Sequence, residues 1–422
     1  MGETQSNKWQ SRFGQRYANG SGIEELMDDL GRAMATGDKL MLGGGNPASI
    51  PQVNELWKQR LMTLAQDADG LMRALVFYDT PQGHGRFMEA LAEFLNREFS
   101  FNIGPQNIAV TNGSQNALFY LFNLLGGTST EGVHRRILFP LVPEYIGYAD
   151  QHLEPNTFLS KRPLIQEIDD HRFKYHIDFD ALDAITDTLG AVCVSRPTNP
   201  TGNVLTDEEI SRLRRYCRAR EVPLIIDNAY GAPFPHILFR DISPVWDENI
   251  ILSMSLSKLG LPSTRTGIIV AKQSIIEQVT SVNAILSLST GSIGQIIAYP
   301  MLQDSSLLHV SKEIVRPYYF QKSIQAQQWL DQSLAGLPYR LHVSEGALFL
   351  WAWFRDLKIP TDELYERLKQ KGVLVIPGKY FFYGQESPWE HQNECIRITY
   401  SQDNKTVEQG IQIIGEVVRS LY

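Results

Sequence analysis

The chain is poor in cysteine, in basic charge and in long apolar runs, and each shortage removes a class of protein. Three cysteines, Cys193, Cys217 and Cys395, stand far apart in 422 residues. No pair has metal-ligand spacing, so free thiols and a reducing, cytoplasmic compartment are expected. The 39 Lys and Arg are outnumbered by 47 Asp and Glu, for a formal net charge of -8, and the basic residues are spread rather than massed. A nucleic-acid surface would show as a basic stripe, so no nucleic-acid partner is expected. No apolar run approaches a membrane span, and Met1–Asn19 lacks the apolar core of an export signal, so no membrane partner is expected either. The nine His are scattered with no H-E-x-x-H pair, and no metal site is expected.

What is present is ordinary for a soluble protein with a sizeable core: 43% hydrophobic and 20% charged residues. The length allows two or three domains. Residues 1–50 read as an N-terminal arm that adds part of itself to a small domain, with one short helix near Gly22–Ala35. Met41–Pro47 is a strand end entering a glycine-rich loop. Residues 51–66 are predicted to be helical, and a turn-rich loop at Tyr78–Gly83 precedes a helix with Met88, Leu91, Ala92 and Leu95 on one face. Strands are predicted at Ile108–Thr111, Ile137–Phe139, Ala191–Val194, Val222–Ile226 and Ile250–Leu252, with helices between them. Thr206 and Glu209 form a capping-box pair ahead of Ile210, Leu213, Tyr216 and Cys217. Apolar strands alternating with amphipathic helices imply an α/β fold: a mostly parallel sheet sandwiched by helices, over residues 51–305. Residues 306–422 read as a smaller α+β domain. A long helix through Ile314, Tyr318 and Trp329 leads into it. Strands follow at Gly346–Trp351, Val373–Ile376 and Ile396–Thr399, with a helix opening at Thr361 and a last helix through Val407, Ile411, Ile414 and Val418.

In such sheets ligands bind beyond the carboxyl ends of the strands, where Asn112–Gln115, Tyr145, Asn199, Asp227, Tyr230 and Lys258 all fall. The strand–glycine–helix junction at Asn112–Gln115 is a good anion site, because free backbone N–H groups and the helix dipole point at it. Ser255-Leu256-Ser257-Lys258 follows a buried strand, with Arg265 seven residues on. Two hydroxyls and an arginine suit a phosphate, and a lysine there suits imine formation. Asp227 closes an apolar strand, where a carboxylate is costly without a partner. A protonated ring nitrogen, such as that of pyridoxal phosphate, would be one.

Taken together, Tyr78, Asn112–Gln115, Tyr145, Asn199-Pro200-Thr201-Gly202, Asp227-Asn228-Ala229-Tyr230, Ser255–Lys258, Arg265 and Arg397 resemble, in order and over nearly the whole chain, the fold-type I pyridoxal-phosphate aminotransferases of class I. The wording of Leu42–Pro47, Thr111–Gln115, Pro143–Tyr148 and Ser195–Asn203 is similar to the valine–pyruvate branch of that family. The resemblance implies an aspartate-aminotransferase-like fold, a homodimer with the active site at the interface, and two half-reactions. L-Valine and pyruvate would give 3-methyl-2-oxobutanoate and L-alanine. It implies that Lys258 holds the cofactor as an imine and moves the substrate proton. Asp227 would pair with the ring nitrogen, Tyr230 and Asn199 with the ring oxygen, and Tyr145 would stack on the ring. Ser114, Gln115, Ser255 and Arg265 would hold the phosphate, joined by Tyr78 from the other subunit. Arg397 would grip the substrate carboxylate, near which Gly44 and Asn199 would lie.

Other readings stay open at this point. An aminotransferase for another neutral amino acid, or a β-lyase on the same fold, would share these cofactor contacts. Decarboxylation is disfavoured by a carboxylate-binding Arg397. A DNA-binding regulator carrying such a domain is disfavoured by the short arm and the charge. A dinucleotide dehydrogenase is disfavoured because neither glycine cluster has the spacing and following helix it needs.

Overall fold

The computed structural model describes residues 9–17, 24, 28, 29, 31 and 39–422. The helix expected near Gly22–Ala35 lies largely outside the described residues. In chain order the strands are β1 (Leu40–Met41), β2 (Ile108–Asn112), β3 (Gly127–Thr128), β4 (His134–Phe139) and β5 (Phe158–Ser160). Then come β6 (Leu164–Glu167), β7 (Arg172–His176), β8 (Leu189–Ser195), β9 (Leu224–Asp227), β10 (Ile250–Ser255) and β11 (Thr266–Val270). The last are β12 (Tyr339–His342), β13 (Phe349–Phe354), β14 (Val373–Leu374), β15 (Ile376–Pro377) and β16 (Cys395–Thr399).

The first sheet runs β2-β11-β10-β9-β8-β4-β3, with β5 also on β4. The joins among β10, β9, β8, β4 and β5 are parallel, as expected. β11, which the sequence reading passed over, enters antiparallel between β10 and β2. Alternate residues of these strands fall into two separate apolar clusters. Ile137, Ala191, Cys193, Ile225, Ile251 and Ile269 belong to one, and Leu138, Val192, Val194, Ile226, Leu252 and Ile268 to the other. Both faces are therefore covered, which is why the strands read as continuous apolar runs and not as an alternation.

The second sheet runs β15-β16-β13-β12-β7-β6. The hairpin β6–β7 lies between strands of the first sheet in the chain, yet it extends the second. Two expected strands moved. The run at Gly346–Trp351 begins instead at Phe349, because Ala347 takes a left-handed φ of 59° and turns the chain there. Val373–Ile376 splits at Val375: β14 pairs with β1, and β15 with β16. The long helix begins at Arg316 after a wider turn at Ser311–Val315, with Pro317 in its first turn, where a missing N–H is tolerated. Among the described residues no helix is long and apolar enough to cross a membrane.

The Thr206–Glu209 capping box forms, with Glu209 N–H donating to Thr206 Oγ1 at 3.1 Å and Thr206 N–H to Glu209 Oε2 at 2.8 Å. It opens the helix Asp207–Ala219, whose Ile210, Leu213, Tyr216 and Cys217 are all buried. Thr206→Ala is expected to lower unfolding free energy by about 1 kcal/mol in urea titration while leaving activity unchanged.

Candidate active site

Strand register brings the expected residues to one edge. Ser195 and Ser253 both pair with Asp227 across the parallel strands. Thr266 pairs with Asn112, and Gly267 with Ser255, so the antiparallel β11 starts where β2 and β10 end. A cavity of about 340 Å³ opens at this edge, lined by Ser114, Gln115, Tyr145, Asn199, Asp227, Tyr230, Ser255, Lys258, Arg265 and Arg397 among others.

Asp227 forms one wall and is 5% exposed. One carboxylate oxygen accepts from the Tyr148 hydroxyl at 2.6 Å and the other from the Ala229 N–H at 2.9 Å. Burial pushes its pKa up; the two donors and nearby Lys258 oppose that. Nothing local in the sequence marks Tyr148 for this role, since the contact spans 79 residues. The loop itself is fixed by Glu144, whose buried carboxylate accepts from the Ser195 N–H at 2.9 Å and the Ser195 hydroxyl at 2.5 Å. Burial raises the Glu144 pKa to about 8. Gln115 donates its amide to Gly147 O at 3.0 Å, so it braces this loop while lining the cavity.

Lys258 sits in a single turn, Ser257–Leu259, that the Trp57 indole pins by donating to Leu259 O at 2.6 Å. Its ammonium donates to Gly45 O at 2.6 Å. Burial, then Arg397 and Arg265, lower its pKa from 10.5 to about 8, against the pull of Asp227. Such a lysine loses its proton readily and becomes a usable base or nucleophile. Ser255 Oγ donates to Ser257 Oγ at 2.8 Å. Beside them Arg265 crosses the turn before the helix Ser114–Leu125. Gly113 there has φ 87°, and a Cβ would lie 2.0 Å from Arg265 Nη2. A Cβ on Gly267 would sit 2.4 Å from Ser114 N. Both glycines let the helix N-terminus, the guanidinium and β11 pack into one anion cradle.

Arg397, on β16, faces the cavity from the second sheet. Its two terminal nitrogens donate to Asn199 Oδ1 at 2.7 Å and Gly43 O at 2.6 Å. Both acceptors are neutral, and Nε has no partner among the described residues. Its Cζ lies 4.2 Å from the Phe349 ring centroid. Burial lowers its pKa to about 10, so it stays a cation at neutral pH. A buried guanidinium without a countercharge is a ready site for a carboxylate. Gly43 and Gly45, and not Gly44, line the cavity. Tyr78 lies elsewhere on this chain, at a separate recess, and is 81% exposed.

These residues fit pyridoxal phosphate. The cradle of Ser114, Ser255, Ser257 and Arg265 suits its phosphate, Asp227 its ring nitrogen, Tyr145 its ring face and Lys258 its carbonyl carbon. In the apo-protein, peptide-resolved acetylation of Lys258 against pH should show a midpoint near 8. A midpoint shared with exposed lysines would contradict the burial and charge argument.

The family model "Aminotransferase class I and II" matches residues 52–414. Valine–pyruvate aminotransferase of Escherichia coli (strain K12) is 45% identical over 408 residues, 97% of each chain. The crystal structure of a putative amino-acid aminotransferase from Psychrobacter arcticum 273-4 is 46% identical, with TM-score 0.96, over 98% of this chain and 99% of that one. That of valine–pyruvate aminotransferase from Salmonella typhimurium LT2 is 44% identical, with TM-score 0.87, over 95% and 99%. The chain belongs to the class I and II aminotransferases, and it carries out pyridoxal-phosphate-dependent transamination in two half-reactions.

Proposed function

We propose that the amino donor is L-valine and the acceptor pyruvate, giving 3-methyl-2-oxobutanoate and L-alanine. The observation that carries this is the 45% identity to the Escherichia coli enzyme of that name over nearly the full length of both chains. The cavity agrees. Its lining cations are Lys258, Arg265 and Arg397, and each already has a task. No lining cation of this chain is left for a second carboxylate, while Ile146, Ile376 and Leu118 offer apolar wall. A neutral, branched side chain is favoured, and an acidic one finds no further lining cation on this chain.

When bound, pyridoxal phosphate withdraws the electron pair that the departing Cα proton leaves behind. Everything else falls to the chain. Arg397 and Asn199 orient the substrate carboxylate and so the Cα–H bond. Lys258, with its lowered pKa, takes that proton and returns it. Asp227, itself held by Tyr148, would keep a proton on the ring nitrogen. Tyr230 and Asn199 would bond the ring oxygen, Tyr145 would cover the ring, and Ser114, Gln115, Ser255 and Arg265 would hold the phosphate.

We further propose a cytoplasmic homodimer. Residues 51–305 would form its cofactor-binding domain, residues 306–422 the smaller one, and residues 1–50 an arm contributing to it. Support for the arm comes from β1, which pairs with β14. Support for a dimer comes from an exposed apolar run, Met72, Leu75, Val76, Phe77 and Tyr78, too large to leave in water. Tyr78 would reach the partner's phosphate site from there. A reducing compartment suits three buried free cysteines.

Incubated with valine and pyruvate, the holoenzyme should form alanine and 3-methyl-2-oxobutanoate one for one, with kcat/KM for valine about 100-fold above that for aspartate. Release of ammonia without alanine would instead indicate a lyase. Sedimentation should give a dimer, and a fully active monomer would contradict the proposed interface.

A further inference from the structure

A second cluster of buried charge lies behind the Asn199 loop, outside the cavity. Lys174 on β7 and Glu345, four residues before Phe349, are 5% and 6% exposed. The Lys174 ammonium donates to the Glu345 carboxylate, to Asn203 Oδ1 at 2.9 Å and to Val204 O at 3.1 Å, which uses all three of its protons. The Glu345 carboxylate also accepts the Val204 N–H at 3.0 Å and a proton of Arg240. Its backbone N–H donates to Gly202 O at 3.2 Å. Next to it, a Cβ on Gly346 would meet Ile237 O at 2.7 Å and Pro197 Cβ at 2.9 Å, so the two segments cross in close contact.

Two of the three supports of Arg397, Asn199 and Phe349 but not Gly43, lead back to this cluster. Asn199, which accepts from Arg397, lies in the turn closed by Thr198 N–H to Asn203 O at 2.8 Å and Gly202 N–H to Thr198 O at 2.8 Å. Phe349, against which the guanidinium rests, is carried on the strand that Glu345 leads into. The first support follows a strand of the first sheet; the second belongs to the second sheet, as does Arg397 itself. A carboxylate that fixes one to the other fixes the guanidinium between them.

We propose that Glu345 is a positioning residue for the substrate carboxylate: with Lys174 it clamps the Asn199 loop to the second sheet and holds the Arg397 fork in its binding geometry before substrate arrives. This rests on the role of Arg397 given above. The clamp makes the Asn199–Arg397 pair a preformed unit, whose ordering is complete when the carboxylate enters.

The test compares Glu345→Gln, Lys174→Met and Arg397→Leu holoenzymes. The probe is 3-methylbutanoate, an unreactive branched monocarboxylate, titrated by its effect on the cofactor's visible absorption. Glu345→Gln and Lys174→Met should each raise its dissociation constant, and KM for valine, about tenfold. The cofactor dissociation constant should stay within about threefold of wild type, because the phosphate cradle, Asp227 and Lys258 lie outside the clamp. If Arg397→Leu binds the probe as wild type does, the role of Arg397 is wrong and the clamp falls with it. If Arg397→Leu weakens binding while the folded clamp variants do not, the clamp alone is overturned. Equal losses of probe affinity, cofactor affinity and thermal stability would also overturn it, as a purely structural effect. Should Glu345→Gln fail to fold, Lys174→Met carries the comparison, because Glu345 then keeps Arg240 and Val204.

Discussion

The site depends first on a carboxylate placed where a carboxylate is costly. Asp227 ends a strand that is apolar on both faces, and burial pushes its pKa up. Tyr148 and the Ala229 N–H hold it in place and favour its charge, and Lys258 adds a cation nearby. An anion so held can keep a proton on a ring nitrogen, which is what makes the cofactor an acceptor of electrons. The cations around the cavity work in the opposite sense. Burial first, then Arg397 and Arg265, lower the Lys258 pKa while Asp227 raises it, so the two faces of the site act on one lysine.

That arrangement is a consequence of sheet register. Side chains from residues 112 to 258 meet because five strands of the first sheet finish at one edge, two of them reached through an intervening antiparallel strand. The second sheet then presents Arg397 across from them, with Gly43 brought to it because Leu42 O accepts the Thr399 N–H at 2.8 Å. The pairing of the two sheets therefore sets the distance between the base and the carboxylate fork, and that distance orients the Cα–H bond.

Much of this was legible in the sequence, for definite physical reasons. The apolar strands of the first sheet, the Thr206–Glu209 cap and the helix at Pro51–Gln66 announce themselves through local rules, and they formed close to where expected. Lys258, Asp227 and Asn199 stood out because they gather beyond the ends of buried strands, and Arg397, inside its strand, only through the resemblance to the aminotransferases. What stayed hidden was decided by contacts across the chain. β11 is a short apolar run like its neighbours, and nothing local gives its direction. The β6–β7 hairpin crosses to the second sheet because β12 offers it an edge, a partner over 160 residues away. Tyr148 and the Lys174–Glu345 pair acquire their roles from partners 79 and 171 residues distant. No spacing rule reaches that far.

The most direct test is the visible absorption of the purified holoenzyme, titrated with L-valine and then with pyruvate. Bleaching of the cofactor band by valine and its full return with pyruvate is the result this account predicts, since both half-reactions would then run at one lysine with one carboxylate fork. A band that valine leaves untouched while other amino acids bleach it would contradict the proposed substrate pair.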